Sequence, residues 1–98
     1  MKYVLINTRH YHRDIDNLPA IFESIDTTQV FDFDYHKKVI HECLENFKDN
    51  KLELYVTGLT PLLISVINYC RMFNIDIILY HYDTSIRTYV RQSVVWVY

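Results

Sequence analysis

The chain has 98 residues, of which 50% are hydrophobic, and a formal net charge of −2 at pH 7. This length predicts one domain with a single core over residues 1–98, and the negative charge gives no general attraction for duplex DNA. One glycine and two prolines argue against a disordered chain. No segment is long and apolar enough to span a bilayer, and the N-terminus lacks the apolar core of a signal peptide. We therefore expect a cytoplasmic protein without a membrane partner.

Hydrophobic periodicity predicts strands and helices that alternate along the chain. The segment 75–82 is nearly continuous in apolar residues, as is typical of a strand covered on both faces. The alternation predicts an α/β fold in which a mainly parallel sheet with right-handed crossovers is flanked by helices. In chain order we expect a strand at 2–8, a helix at 17–24, a strand at 27–33, a helix at 35–48, a strand at 52–56, a helix at 61–73, a strand at 75–82, and terminal strands at 87–90 and 94–98 that could form a hairpin.

The two cysteines predict buried, reduced thiols. Cys43 and Cys70 lie on apolar stripes of predicted helices, and they lack the CxxC spacing of many redox and metal sites. His10 and His12 could chelate a metal together with His81 or Asp83, but no specific metal-binding spacing supports such a site. The sequence therefore predicts neither a metal nor a cofactor.

The only glycine lies in a turn between an apolar strand and an apolar helix. Pro61 suits the first turn of a helix, and Thr60 would be a good N-cap before it. Gly58 can adopt a positive φ or allow a ligand to approach the backbone closely. A strand, a glycine turn and a helix N-terminus together favour a bound phosphate, for which Thr57, Gly58, Leu59 and Thr60 are the candidate residues. The alternative is that Gly58 only makes a tight turn.

The helix predicted at 61–73 is apolar on almost every side. Ser65, Asn68 and Arg71 form only a narrow polar stripe along it. Such a helix is hard to bury within a protein of this size, so we expect self-association as a homodimer. The alternative is a central helix that is buried within one protomer.

Basic and aromatic residues follow the carboxyl ends of the predicted strands, which is the edge where open parallel sheets bind ligands. Arginine and lysine would neutralise phosphates there, and tyrosine rings would stack on bases. The alternative for the segment after the first strand is a solvated polar loop. The candidate residues at this edge are Thr8, Arg9, His10, His12 and Arg13 after the first strand, His36 after the second and His81 after the fourth.

Several common enzyme signatures are absent from the sequence. A Gly-x-Ser-x-Gly nucleophile elbow is missing, so acyl transfer has no support. A GxGxxG segment and a Walker lysine are also missing, which disfavours ordinary dinucleotide or ATP binding.

Two segments, 56–63 ahead of a helix and 77–83 before a short tail, resemble the small CRISPR-associated proteins of type III systems. Those proteins have a CARF-like Rossmann core (CRISPR-associated Rossmann fold), and several are ring nucleases. The resemblance implies a small Rossmann-like fold and a homodimer that binds cyclic oligoadenylate across its two-fold axis. It also implies that the ligand contacts Thr8, Arg9 and His10, together with the turn from Thr57 to Thr60.

The favoured function is therefore recognition and cleavage of cyclic oligoadenylate, without a metal. A ring nuclease holds the ligand so that a 2′-hydroxyl attacks the adjacent phosphate, which gives a 2′,3′-cyclic phosphate. Arg9 and Arg13 are the candidates for charge stabilisation, and His10 or His12 is the candidate general base or acid. The alternatives are a non-catalytic sponge for the same messenger and a small protein-interaction dimer.

Overall fold

The computed structural model describes residues 2–7, 17–47 and 49–96. They form an α/β arrangement of one five-stranded mixed sheet and two helices, which confirms the predicted class. Neither described helix, at 12 and 13 residues, offers the long apolar segment that a bilayer requires. The elements are β1 (Lys2–Ile6), β2 (Ala20–Phe22), α1 (Phe33–Leu44), β3 (Lys51–Tyr55), α2 (Thr60–Met72), β4 (Asp76–Asp83) and β5 (Thr88–Val94).

The strand order in the sheet is β2-β1-β3-β4-β5. β1 pairs in parallel with β2 and with β3, and β3 pairs in parallel with β4. β5 lies antiparallel to β4, with Ile77 opposite Val94 and Asp83 opposite Thr88. The carboxyl ends of β1, β3 and β4 therefore meet at one edge of the sheet.

The two helices pack on the same face of the sheet. Leu54 of β3 lies in one core cluster with Ile40 of α1 and Leu62 of α2, and all three side chains have no exposed surface. Val4 and Tyr55 point to the other face, since side chains alternate along a strand. They belong to a second, smaller cluster that includes no residue of either helix. The described part of the chain is thus a two-layer structure.

The predictions for residues 17–33 are wrong. The expected helix at 17–24 contains the strand β2, in which Ala20 pairs with Val4. The expected strand at 27–33 is instead a series of turns followed by the start of α1. The carboxylate of Asp26 accepts a hydrogen bond from the Thr28 amide (2.9 Å), and the Asp32 carboxylate caps α1 by accepting one from the Tyr35 amide (3.1 Å). Hydrogen bonds of this kind, from nearby amides to an aspartate carboxylate, compete with strand pairing.

The prediction of two separate terminal strands at 87–90 and 94–98 is wrong, because one strand, β5, runs without a break from Thr88 to Val94 and pairs with β4. Residues 97 and 98 lie outside the described residues. A turn joins the two strands, and the Asp83 carboxylate stabilises it by accepting a bond from the Ser85 amide (2.9 Å). Arg87, the last turn residue, has a φ of +56°, which closes the hairpin without a glycine. The C-terminal hairpin is thus formed by β4 and β5.

Candidate functional site

The turn between β3 and α2 lies at the edge where β1, β3 and β4 end. Gly58 has a φ of +89°, as the sequence predicts for a tight turn. A Cβ atom at this position would lie 2.7 Å from Cγ2 of Ile6, the last residue of β1. Both the backbone conformation and the packing therefore require glycine, and the close approach that it permits is to β1.

Thr57 links this turn to the end of β1 by two hydrogen bonds. Its hydroxyl donates a hydrogen bond to the Ile6 carbonyl (2.7 Å) and accepts one from the Ile6 amide (3.1 Å). On the other side of the turn, the Val56 amide donates to the Tyr80 carbonyl of β4 (2.9 Å). The turn is consequently held between β1 and β4, the two strands that flank β3, and both bonds of the Thr57 hydroxyl are used to hold it.

The N-terminus of α2 opens beside this turn. The helix begins at Thr60, and Leu59 is its N-cap, so the prediction of Thr60 as the cap is wrong by one residue. Leu59 makes no side-chain capping bond, and the Leu63 amide donates the first backbone bond of the helix to the Leu59 carbonyl (3.2 Å). The amides of Thr60 and Leu62 precede that first bond, while Pro61 has no N–H. Two amides and the positive end of the helix dipole thus face this edge.

An apolar cleft adjoins the same helix end. This α2 cleft has a volume of about 530 Å³, and Thr60, the first residue of α2 after the turn, lies in its wall. The side chains of Phe31, Phe33 and Ile64 are 71%, 60% and 49% exposed at its rim. Its described lining consists of Phe31, Phe33, Thr60, Pro61, Ile64, Ser65 and Asn68.

Phe31 and Phe33 were missed as site residues by the sequence reasoning, which assigned them to a strand. A signal was present, because Asp32 is a good N-cap and Asp34 is acidic in the first helical turn. A helix that starts at Phe33 leaves both phenylalanines at its exposed end. Because Asp32 caps α1, Phe31 and Phe33 lie on either side of the helix start, where both line the cleft.

His36, expected at the ligand edge, lies in the core between the two helices with no exposed surface. Its Nε2 lies 2.8 Å from the Gln29 carbonyl and its Nδ1 lies 2.8 Å from Ser65 Oγ. Because a carbonyl only accepts, Nε2 carries a proton, and in the neutral ring Nδ1 accepts from the Ser65 hydroxyl. A ligand would reach His36 only by displacing these partners, so its evident role is to join α1, α2 and the preceding turn.

His81 lies on β4, one residue beyond the Tyr55–Tyr80 pair and so beside the end of β3. It is partly exposed, and its Nε2 forms a 2.8 Å hydrogen bond with the side-chain oxygen of Gln92 on β5. His81 is therefore at the expected edge. The other expected residues, namely Thr8, Arg9, His10, His12 and Arg13, lie outside the described residues.

Both cysteines are free thiols. Cys70 is buried, as predicted, whereas Cys43 is only partly buried, so the prediction of two buried thiols is wrong for Cys43. Burial raises the pKa of the Cys70 thiol to about 12, and burial is also the largest cause of the raised pKa of Cys43. Both thiols are therefore protonated near neutral pH, which makes them poor nucleophiles. Within residues 2–7, 17–47 and 49–96, no cluster of three or more histidine, cysteine, aspartate or glutamate residues could hold a metal ion.

Comparisons of the chain with models of protein families, with curated proteins and with solved structures find no match.

Proposed function

We propose that this protein binds cyclic oligoadenylate, the second messenger of type III CRISPR antiviral defence, and cleaves it as a cytoplasmic ring nuclease with a small, CARF-like Rossmann core. One juxtaposition carries the proposal: the Gly58 turn leads directly into the N-terminus of α2, which has no side-chain cap, and Thr60 at that terminus lines the apolar α2 cleft. The sequence resemblance supplies the identity of the ligand.

Phosphate recognition is supported by the N-terminus of α2. The amides of Thr60 and Leu62 lie ahead of the first intrahelical bond, and no described side chain caps them. Such amides, together with the helix dipole, favour an anion. Thr57 contributes indirectly, because its two bonds to Ile6 hold the turn in position.

A homodimer is supported by the exposed side chains of the α2 cleft. Phe31, Phe33 and Ile64 would be unusually apolar for a solvent-exposed surface, whereas a second copy would bury them. In a two-fold dimer that uses this surface, the two Gly58 turns would flank one shared cavity. A cyclic oligonucleotide with an even number of identical nucleotides can share the two-fold axis of the dimer. It would then present equivalent phosphates to both turns.

The proposed reaction is an internal transfer of the phosphoryl group. The 2′-oxygen forms a bond to the adjacent phosphorus, the bond from phosphorus to the 5′-oxygen breaks, and the products carry a 2′,3′-cyclic phosphate and a 5′-hydroxyl. His10 or His12 would take the proton from the 2′-hydroxyl or supply one to the 5′-oxygen. Arg9 and Arg13 would stabilise the charge on the phosphate.

A non-catalytic sponge for the same messenger is the second candidate. It is favoured by the side chains at the described part of the edge, where the Thr57 hydroxyl is bonded to Ile6 and His81 is bonded to Gln92. A sponge would bind cyclic oligoadenylate at the same turn and release it unchanged.

Incubation with cyclic tri-, tetra- and hexa-adenylate, followed by chromatography, separates these candidates. A ring nuclease yields linear products with a 2′,3′-cyclic phosphate, at a rate that a metal chelator leaves unchanged. A sponge retains the intact ring, as calorimetry would show. If the protein neither binds nor cleaves any of the rings, the proposal is wrong.

Thr60 provides a sharp variant for this test. Thr60→Glu places a carboxylate at the first helical position, where it suits the helix dipole but repels phosphate. We expect at least about tenfold weaker binding of the ring. Thr60→Gln is the matched control, since it has nearly the same size without the charge. Equal affinities of the two variants would exclude the α2 N-terminus as the phosphate site.

A further inference from the structure

Four tyrosines occupy the face of the sheet opposite to α1 and α2. Tyr55 of β3, Tyr80 and Tyr82 of β4, and Tyr89 of β5 lie there in neighbouring register positions, with Tyr55 opposite Tyr80 and Tyr82 opposite Tyr89. Their strands turn the alternate side chains, such as Leu54, toward the helices. We call these four residues the tyrosine face.

The inner part of the tyrosine face is structural. The rings of Tyr55 and Tyr80 are stacked, with centroids 4.6 Å apart and planes inclined by 14°. Tyr55 is only 9% exposed and packs in the same cluster as Val4. The Tyr80 hydroxyl donates a 2.8 Å hydrogen bond to the Glu53 carboxylate, which fixes the ring. These two rings cover part of the sheet on the face where neither α1 nor α2 packs.

The outer part of the tyrosine face remains accessible to solvent. Tyr82 and Tyr89 are both partly exposed, and their rings meet edge to face with centroids 5.3 Å apart. Tyr89 also meets Tyr55 edge to face, with centroids 4.9 Å apart, so the inner pair supports this outer ring. The outer rings are consequently preorganised aromatic surfaces on a rigid sheet.

An exposed arginine accompanies these rings. Arg91 lies on β5 opposite Tyr80 and two residues from Tyr89, so its side chain leaves the same face of the sheet. Arg87, also exposed, lies in the turn directly before β5. Partly exposed aromatic rings beside cationic side chains match the two components of single-stranded nucleic acid, namely unpaired bases and phosphates.

We propose that the outer tyrosine face binds single-stranded RNA, with unpaired bases stacked on Tyr82 and Tyr89 and a phosphate contacted by Arg91. A flat sheet presents ring faces and edges to a chain of bases without needing a groove, and stacking tolerates any base sequence. Duplexes are poor ligands here because their bases are already stacked. This proposal concerns a surface other than the α2 N-terminus, and it does not depend on the proposed ring nuclease.

The test is fluorescence anisotropy of the full chain with a short, labelled oligoadenylate RNA at low salt. We expect saturable binding to the wild type. Tyr82→Leu and Tyr89→Leu keep an apolar cover on the sheet but remove the ring, and each should weaken binding roughly 5- to 150-fold. Tyr82→Phe and Tyr89→Phe keep the ring and should bind nearly as well as the wild type.

Tyr35→Leu is the matched control, because Tyr35 is a partly exposed tyrosine on α1 and so on the other side of the sheet. It should leave RNA binding unchanged. Affinity falls as salt rises, and Arg91→Gln should make the slope of log affinity against log salt less negative by roughly 0.7. Circular dichroism checks that each variant is folded.

Two results would overturn the proposal: an absence of RNA binding by the wild type, or leucine variants that bind as the wild type does. The latter result, with loss of RNA binding in Thr60→Glu, would assign the RNA to the α2 N-terminus. Retained cleavage of cyclic oligoadenylate in Tyr82→Leu would show that the two surfaces act separately, so failure of either proposal leaves the other intact.

Discussion

Ile6 and Gly58 are in contact across the edge of the sheet, at a separation that leaves no room for a side chain at position 58. A Cβ there would lie 2.7 Å from Ile6 Cγ2, and the backbone of Gly58 has a φ of +89°. This contact joins the end of β1 to the turn that precedes α2. The geometry of the candidate anion site therefore depends on the contact between Ile6 and Gly58. Substitutions at this contact should change the free energy of unfolding, which can be measured without a ligand.

Gly58→Ala should lower the free energy of unfolding by about 1–3 kcal/mol, because the new Cβ strains a positive φ and overlaps Ile6. Ile6→Ala removes the overlapping Cγ2, so the double variant should be more stable than the sum of the two single effects predicts. Urea denaturation of the four proteins measures this coupling. Additive effects would show that the close approach to Ile6 is unimportant.

Thr57→Val should lower the free energy of unfolding by about 1–3 kcal/mol, because the isosteric side chain leaves both backbone groups of Ile6 without the Thr57 hydroxyl. Thr57→Ser keeps the hydroxyl and should lose less. Hydrogen exchange of the Ile6 amide gives a local readout, which should be faster in Thr57→Val than in Thr57→Ser. Equal exchange in both variants would contradict the role of this hydroxyl.

His36→Leu should destabilise the chain by about 1–3 kcal/mol, although it fills a similar volume with apolar atoms. The substitution leaves the Gln29 carbonyl and the Ser65 hydroxyl without their buried partner. Adding Ser65→Ala removes one of those orphaned groups and should recover part of the loss. Thermal unfolding followed by circular dichroism checks both steps, and a neutral His36→Leu would argue against a structural histidine.

Ile64→Arg should raise the dissociation constant of the proposed homodimer by about 10- to 100-fold, because it places a charge in the apolar surface of the α2 cleft. Ile86→Arg is the matched control: Ile86 is 58% exposed, against 49% for Ile64, but lies in the turn between β4 and β5. Light scattering across a concentration series measures the shift. A monomeric wild type at micromolar concentration would refute the dimer.

Alkaline pH should destabilise the protein through Cys70. Its pKa is raised by burial from 9.0 to about 12, so the native state retains the thiol proton that the unfolded state releases. The free energy of unfolding should thus decline between about pH 9 and pH 12, the interval between these two pKa values. Cys70→Val lacks the thiol and should decline less steeply in denaturation experiments over that range. An identical pH dependence would exclude this cause.

Local patterns identified the centre of the fold well. The strand, glycine turn and helix around Gly58 follow from an apolar run, one residue that tolerates a positive φ, and a proline in the first helical turn. The prediction for residues 17–33 is wrong because their apolar side chains fit either period, and because Asp26 and Asp32 accept bonds from nearby amides that form a turn and a helix cap. The short length of β2 further weakened its signal.

The sequence by itself determined the α/β class and the position of the turn at Gly58, because hydrophobic period and turn chemistry act over a few neighbouring residues. Only the tertiary structure decided that β1 lies between β2 and β3, that both helices cover one face, and that His36 is buried against Ser65. Those arrangements depend on contacts between segments far apart in the chain. Local propensity carries no information about which partner such a segment will find.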